Sequence, residues 1–275
     1  MARRFRTILA VAFVIAVGVL SWRVWPSGEP AYQGKPLSLW MDQYQEHLLA
    51  RSDPEKVLKR DQARTAMREI GTNALPALLA MVGKSDSPWK TRALALVRKQ
   101  SVIKLRLYSD DHFHARSSYG FSALGATAKP AVPALIELLH DKNPRVRACA
   151  ALSLGLIGPE AESAIPALLP LLDERNQGIT ILESMGALRS IHKRPDIVIP
   201  ALLQFLNGAR RDWNYAAPAL EALGWYGKEA KSTVPAIEEY LDDPDINKRN
   251  AAFNALGKID PEAATKAARS MAERR

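Results

Sequence analysis

The amino-acid sequence predicts an all-α fold: a right-handed solenoid of stacked helix pairs, preceded by one hydrophobic helix at the N-terminus. A proline-centred phrase recurs, as ALPALLAMV at 74–82, AVPALIELL at 131–139, AIPALLPLL at 164–172, VIPALLQFL at 198–206 and TVPAIEEYL at 233–241. Its prolines, Pro76, Pro133, Pro166, Pro200 and Pro235, follow one another after 57, 33, 34 and 35 residues. The last three steps are one repeat each, and the first is one repeat plus an insertion at about 98–120. The apolar positions also keep a helical period. Val146, Ala150, Leu154 and Ile157 lie on one helix face, as do Val132, Leu135, Leu138 and Leu139. No run in the body alternates as a half-buried strand does. Two amphipathic helices of this size cannot bury their apolar faces alone, so neighbouring pairs must stack.

Taken in order, residues 1–25 read as a signal anchor. Arg3, Arg4 and Arg6 precede ILAVAFVIAVGVL at 8–20, and Trp22 and Trp25 follow it. This predicts a single-pass membrane protein whose body lies outside the cytoplasm, periplasmic in a Gram-negative cell; secretion after signal cleavage is the alternative. Residues 26–36, with three prolines and two glycines, read as a linker. Residues 37–275 then form the solenoid. Each repeat is expected to be two helices of three to four turns, with the proline in the first turn of the second, where its missing N–H costs nothing. Asp141, Asn143 and Asp243 suit N-caps, and Gly158 and Gly227 sit where first helices must end. The insertion is expected to lengthen a first helix over about 87–107 and to add a short helix from about 112.

Composition excludes several classes. With 47% hydrophobic and 24% charged positions in 275 residues, the chain is globular rather than disordered. The single cysteine, Cys149, rules out an intramolecular disulfide framework and any cysteine-built zinc or iron–sulfur site. Of the net +9, the first thirty residues carry +3, which leaves a mildly basic body.

The phrase from Asp141 to Leu168, DKNPRVRACAALSLGLIGPEAESAIPAL, resembles HEAT repeats of the phycobilisome-lyase-like type. The likeness covers roughly 63–265 and is strongest over 122–173. YQGKPLSLWMDQY at 32–44 is similar to the opening of HEAT-repeat proteins that carry a like N-terminal membrane signal. The resemblance implies a fold more than an activity, because such repeats serve scaffolds, adaptors and a few enzymes alike. Iron-dependent hydroxylases on similar repeats need His-Glu pairs, and this sequence has no such dipeptide. Bilin-lyase activity has no residue to carry it.

Candidate sites are few. Asp110, Asp111, His112 and His114 invite a metal reading, but two histidines two apart on a helix point about 200° apart and cannot share an ion. Arg147 is expected to pair with aspartates at repeat junctions, Asp141 or Asp173, and Cys149 to be a small core residue. Arg210, Arg211, Trp213 and Tyr215 at the start of a first helix, with Trp225 and Tyr226 at the end of that same helix, have the composition of a protein interface anchor, the alternative being that the aromatics fill gaps between helices. The expected function is a non-enzymatic scaffold or adaptor, tethered to the membrane by its N-terminal helix and presenting a groove lined by the second helices to a protein partner. No cofactor, metal or nucleic acid is expected. The alternatives are an enzyme or ligand-binding solenoid with a site near 98–120, which acids converging on His112 or His114 would support, and a nucleic-acid-binding solenoid.

Overall fold

A computed structural model of the chain describes residues 28–49, 52–84, 110–173, 178–208 and 215–273. The segment expected to be a linker carries a hairpin instead. Strand β1 (Ala31–Tyr32) pairs antiparallel with β2 (Lys35–Pro36). The turn residues Gln33 and Gly34 both have positive φ, as a tight two-residue hairpin requires. The hairpin closes the front of helix α1 (Leu37–Glu46). Glu29 accepts from the Ser38 backbone N–H at 2.6 Å and from its hydroxyl at 2.9 Å, and Trp40 Nε1 donates to the Tyr32 carbonyl.

Helix α2 (Pro54–Ile70) starts at Asp53, whose carboxylate accepts from the N–H groups of Glu55 and Lys56. A 3₁₀ turn (Gly71–Ala74) leads into α3 (Leu75–Val82), with Pro76 in its first turn. This pattern then recurs. The first helices of later repeats are α4 (Asp110–Leu124), α6 (Pro144–Ile157), α8 (Gly178–Ile191), α10 (Ala216–Tyr226) and α12 (Ile246–Ile259); between them run the second helices α5 (Val132–Leu138), α7 (Ile165–Leu168), α9 (Pro195–Asn207) and α11 (Val234–Glu238). Helix α13 (Pro261–Glu273) packs on α12 and buries Ala264. The buried residues of every pair join into one continuous core.

Four expectations need correction here. The second helices α5, α7 and α11 are shorter than three to four turns, because a glycine at positive φ (Gly125, Gly158 or Gly227) opens seven residues of 3₁₀ helix ahead of each. Helix α7 also gives way to 3₁₀ geometry at Leu169–Leu172, where Pro170 withholds an N–H. Pro200 lies inside its helix rather than in the first turn, since α9 already begins at Pro195. The insertion runs into α4, a full first helix rather than a short extra one; the expected helix over 87–107 lies outside the described residues. The N-caps are Asn143 and Asp245; Asp141 and Asp243 each accept from the cap residue's own N–H two positions on. Arg147 closes this turn by donating to the carbonyls of Asp141 and Lys142, and Arg249 does the same to Asp243 and Pro244. The signature arginine thus braces the start of its own helix.

The junction between α8 and α9 has no glycine. His192 and Arg194 take positive φ in its place, a conformation that costs a non-glycine residue about 1–2 kcal/mol. Tyr226 holds this turn from the next repeat: its hydroxyl donates to the carbonyls of Lys193 at 3.1 Å and Leu188 at 3.4 Å, and its ring meets His192 edge-on. Tyr226→Phe removes both bonds and frees the turn it braces, so urea denaturation should show a loss of about 1 kcal/mol.

The first-helix layer is stacked tightly through small residues. A Cβ on Gly155 would lie 2.9 Å from the Ala187 Cα, and one on Gly224 would lie 3.0 Å from the Ala255 Cα. At the other end Arg116, nearly fully buried, reaches from α4 to α1, where it donates to the Ser38 carbonyl and sits 3.2 Å from the Asp42 carboxylate.

The membrane-anchored, single-pass localisation is also corrected. Among the described residues no helix is long and apolar enough to cross a membrane, and the anchor expected over 1–25 lies outside them.

Candidate functional site

The faces that the first helices leave uncovered form a groove of about 590 Å³. It runs from His114 and Ser118 on α4, over Arg145, Cys149 and Leu152 on α6, to Ile179 and Glu183 on α8 and Tyr215 ahead of α10. The second helices, expected to line the docking groove, do not line this one. The geometry explains why: the first helices stack edge to edge, so equivalent positions of successive repeats fall side by side and make a continuous strip.

Of the residues singled out from sequence, Arg210, Arg211 and Trp213 lie outside the described residues. Tyr215 lines the groove, with its hydroxyl over Gly178, where an added Cβ would come within 1.8 Å of it. A side chain at 178 and the tyrosine cannot both occupy that space. Trp225 is in the last turn of α10, exposed, with the Lys258 ammonium 4.5 Å from its ring centre, a cation–π contact. It does not line the groove. The gap-filling role considered for the aromatics belongs to the buried Tyr226.

His114 contacts the Lys84 carbonyl through Nε2 at 3.0 Å. The side chains of Asp110, Asp111 and His112 are outside the described residues. Among the described residues no group of three His, Cys, Asp or Glu side chains could hold a metal ion. Cys149 is a buried core residue, as expected, with Sγ 3.4 Å from the Ser117 hydroxyl. Burial pushes its thiol up to about 11. A thiol so far above neutrality is almost wholly protonated at pH 8, so in the folded protein it should react with Ellman's reagent only at the rate of unfolding. Rapid stoichiometric labelling without denaturant would contradict this burial.

Glu183 was not singled out from sequence. It is half-buried in the groove, and loss of water pushes its carboxyl above the usual range. The signal for it is in the segment GITILESMGAL, whose uncovered face carries Ile179 and Leu182 beside a single acid.

Helix pairs stacked in one direction, with a shared core and a common strip of first-helix faces, define an α-solenoid repeat protein. A family model described as HEAT repeats matches residues 107–189 and 199–275, more than half of the sequence, and the chain belongs to the HEAT-repeat family. Among solved structures it is similar to a mutant of the karyopherin Kap121p, at 15% identity and a TM-score of 0.53 over 86% of this chain and 26% of that one. Kap121p bound to the extreme C-terminus of the protein phosphatase Cdc14p gives 16% identity and a TM-score of 0.51 over the same shares. The complex of CpcE and CpcF of phycocyanin lyase from Nostoc gives 22% identity and a TM-score of 0.41, over 86% of this chain and 83% of that one. The chain spans about a quarter of the karyopherin's length. No curated protein sequence matches it.

Proposed function

We propose that this protein is a non-catalytic scaffold that docks a protein partner on the uncovered face of its first-helix layer. One observation carries the reading: large apolar side chains stay in water there in successive repeats, Ile179 and Leu182 on α8, Trp225 on α10 and Ile246 on α12, each between 40% and 58% exposed. Scattered exposed apolar residues need no explanation, but a row of them on equivalent helices suits a docking surface. Tyr215 and Trp225 are the aromatic anchors of this surface. The fold supports the reading as well, since Kap121p, a solenoid of similar form, holds a segment of a phosphatase.

The double substitution Ile179→Asp with Leu182→Asp tests it. Both residues are already exposed, so thermal unfolding should stay within about 0.5 kcal/mol of wild type. Quantitative affinity purification with the two proteins side by side should lose a specific protein partner in the variant. Identical recoveries from both would count against docking on this face.

A second reading has its own observation: Glu183 and His114 line the same groove, the convergence of an acid with the insertion's histidine that a ligand-binding solenoid would show. The groove is open to solvent and His114 is engaged with the Lys84 carbonyl, which favours the scaffold.

A further inference from the structure

Glu183 stands at a defined place in the repeat, nine residues before the residue that ends its helix. The same place is held by Arg116 in α4, Cys149 in α6, Pro218 in α10 and Ala251 in α12. Three of these are apolar or weakly polar, so stacking does not call for a charge there. The one other charged occupant, Arg116, is met by Asp42 and the Ser38 carbonyl of α1. Glu183 carries the opposite charge at the same place, and among the described residues no hydrogen bond or ion pair meets it. Several surface acids are matched, Glu160 by Lys129, Asp196 by Arg194 and Asp260 by Lys231; the first two carboxyls are held below the usual range by these partners, and that of Asp260 by the Ala263 backbone N–H and then by Lys231. The Glu183 carboxyl is raised by lost water alone. A carboxylate that has lost water without gaining a cation is a standing cost to the free protein, and a cation delivered by a partner removes it.

We infer that the first-helix groove takes an extended segment of the partner protein, with a lysine or arginine set against Glu183 and apolar neighbours on Leu152 and Ile179. This rests on the scaffold reading and names the chemistry of the segment. The groove crosses three helices, two steps of about 8–10 Å each. That is the length of about five or six extended residues, which an octapeptide spans with its ends to spare. Arg145 lines the α6 part of the groove and Glu183 the α8 part. The lining therefore fixes where the segment's cation sits: over α8, not over α6. Leu152 and Ile179 line the groove with the carboxylate, which excludes water once the segment is bound and strengthens the pair.

The test uses the full chain and an array of octapeptides, capped at both ends, with lysine, arginine, norleucine or glutamate at the fourth position and apolar residues on either side. Lysine- and arginine-centred peptides should bind wild type, and Glu183→Gln should weaken them by about tenfold or more. Glu183→Lys should transfer the preference to glutamate-centred peptides. Glu183→Gln should also unfold no more easily than wild type at neutral pH, because the charge it removes is unpaired; that separates lost binding from lost fold. Equal binding of the four peptide classes, no binding of any, or unchanged binding to Glu183→Gln overturns the inference. If a partner still crosslinks to the 182 position in that event, the scaffold reading stands and only the cationic-segment chemistry fails.

Discussion

Gly155→Val is expected to lower the stability of the protein by about 3 kcal/mol, at the upper end of what overpacking costs. The reason is backbone contact: any Cβ at 155 falls 2.9 Å from the Ala187 Cα, and neither α6 nor α8 can yield without shifting the repeats beyond it. Gly186→Ala is the control. It lies in the same helix as Ala187, with nothing within 4 Å of the added carbon, so it should gain about 0.5–1 kcal/mol from reduced backbone entropy in the unfolded chain. Urea midpoints of the two variants should move in opposite directions. Equal, small shifts would mean that the first-helix layer is not stacked through these small residues.

Phe121→Ala should cost about 3–5 kcal/mol. Phe121 heads the largest side chains with no exposed surface, and its helix α4 packs on α1, α2 and α3 on one side and on α6 on the other. In a solenoid each repeat is stabilised by its neighbours alone. The cavity should therefore uncouple residues 37–82 from the later repeats before the whole chain unfolds. Hydrogen exchange read by mass spectrometry should show α1–α3 losing protection at lower denaturant than α8–α12. Uniform loss along the chain would argue for a single cooperative unit.

The sequence made the repeat legible because proline, glycine and a buried apolar stripe each recur at a period of 33–35 residues. Pro76, Pro133, Pro166 and Pro235 mark second helices as expected, and Gly158 and Gly227 end first helices. Pro200 misled because its spacing is regular while the turn ahead of it is not. There His192 and Arg194 do the work of a glycine, and only Tyr226, from the following repeat, explains how they can. Asp141 and Asp243 were near misses: the chain makes one more Asx turn before the cap, which spacing alone does not distinguish. Less of the candidate site was legible. Tyr215 and Trp225 stand out by residue type, whereas Glu183 is ordinary in its own neighbourhood and becomes conspicuous only beside Cys149 and Arg116, 34 and 67 residues upstream. A groove built across repeats is written down the columns of the repeat, and reading along the chain passes over it.

The central claim, docking on the first-helix face, is tested most directly by site-specific photocrosslinking in cells. A benzophenone side chain is placed at Leu182, on the uncovered face of α8, and in a second protein at Gln204, exposed on the second helix α9. One dominant protein adduct from position 182 and none from position 204 is the predicted result. The same adduct from 204 alone, or from neither position in a folded protein, would contradict it.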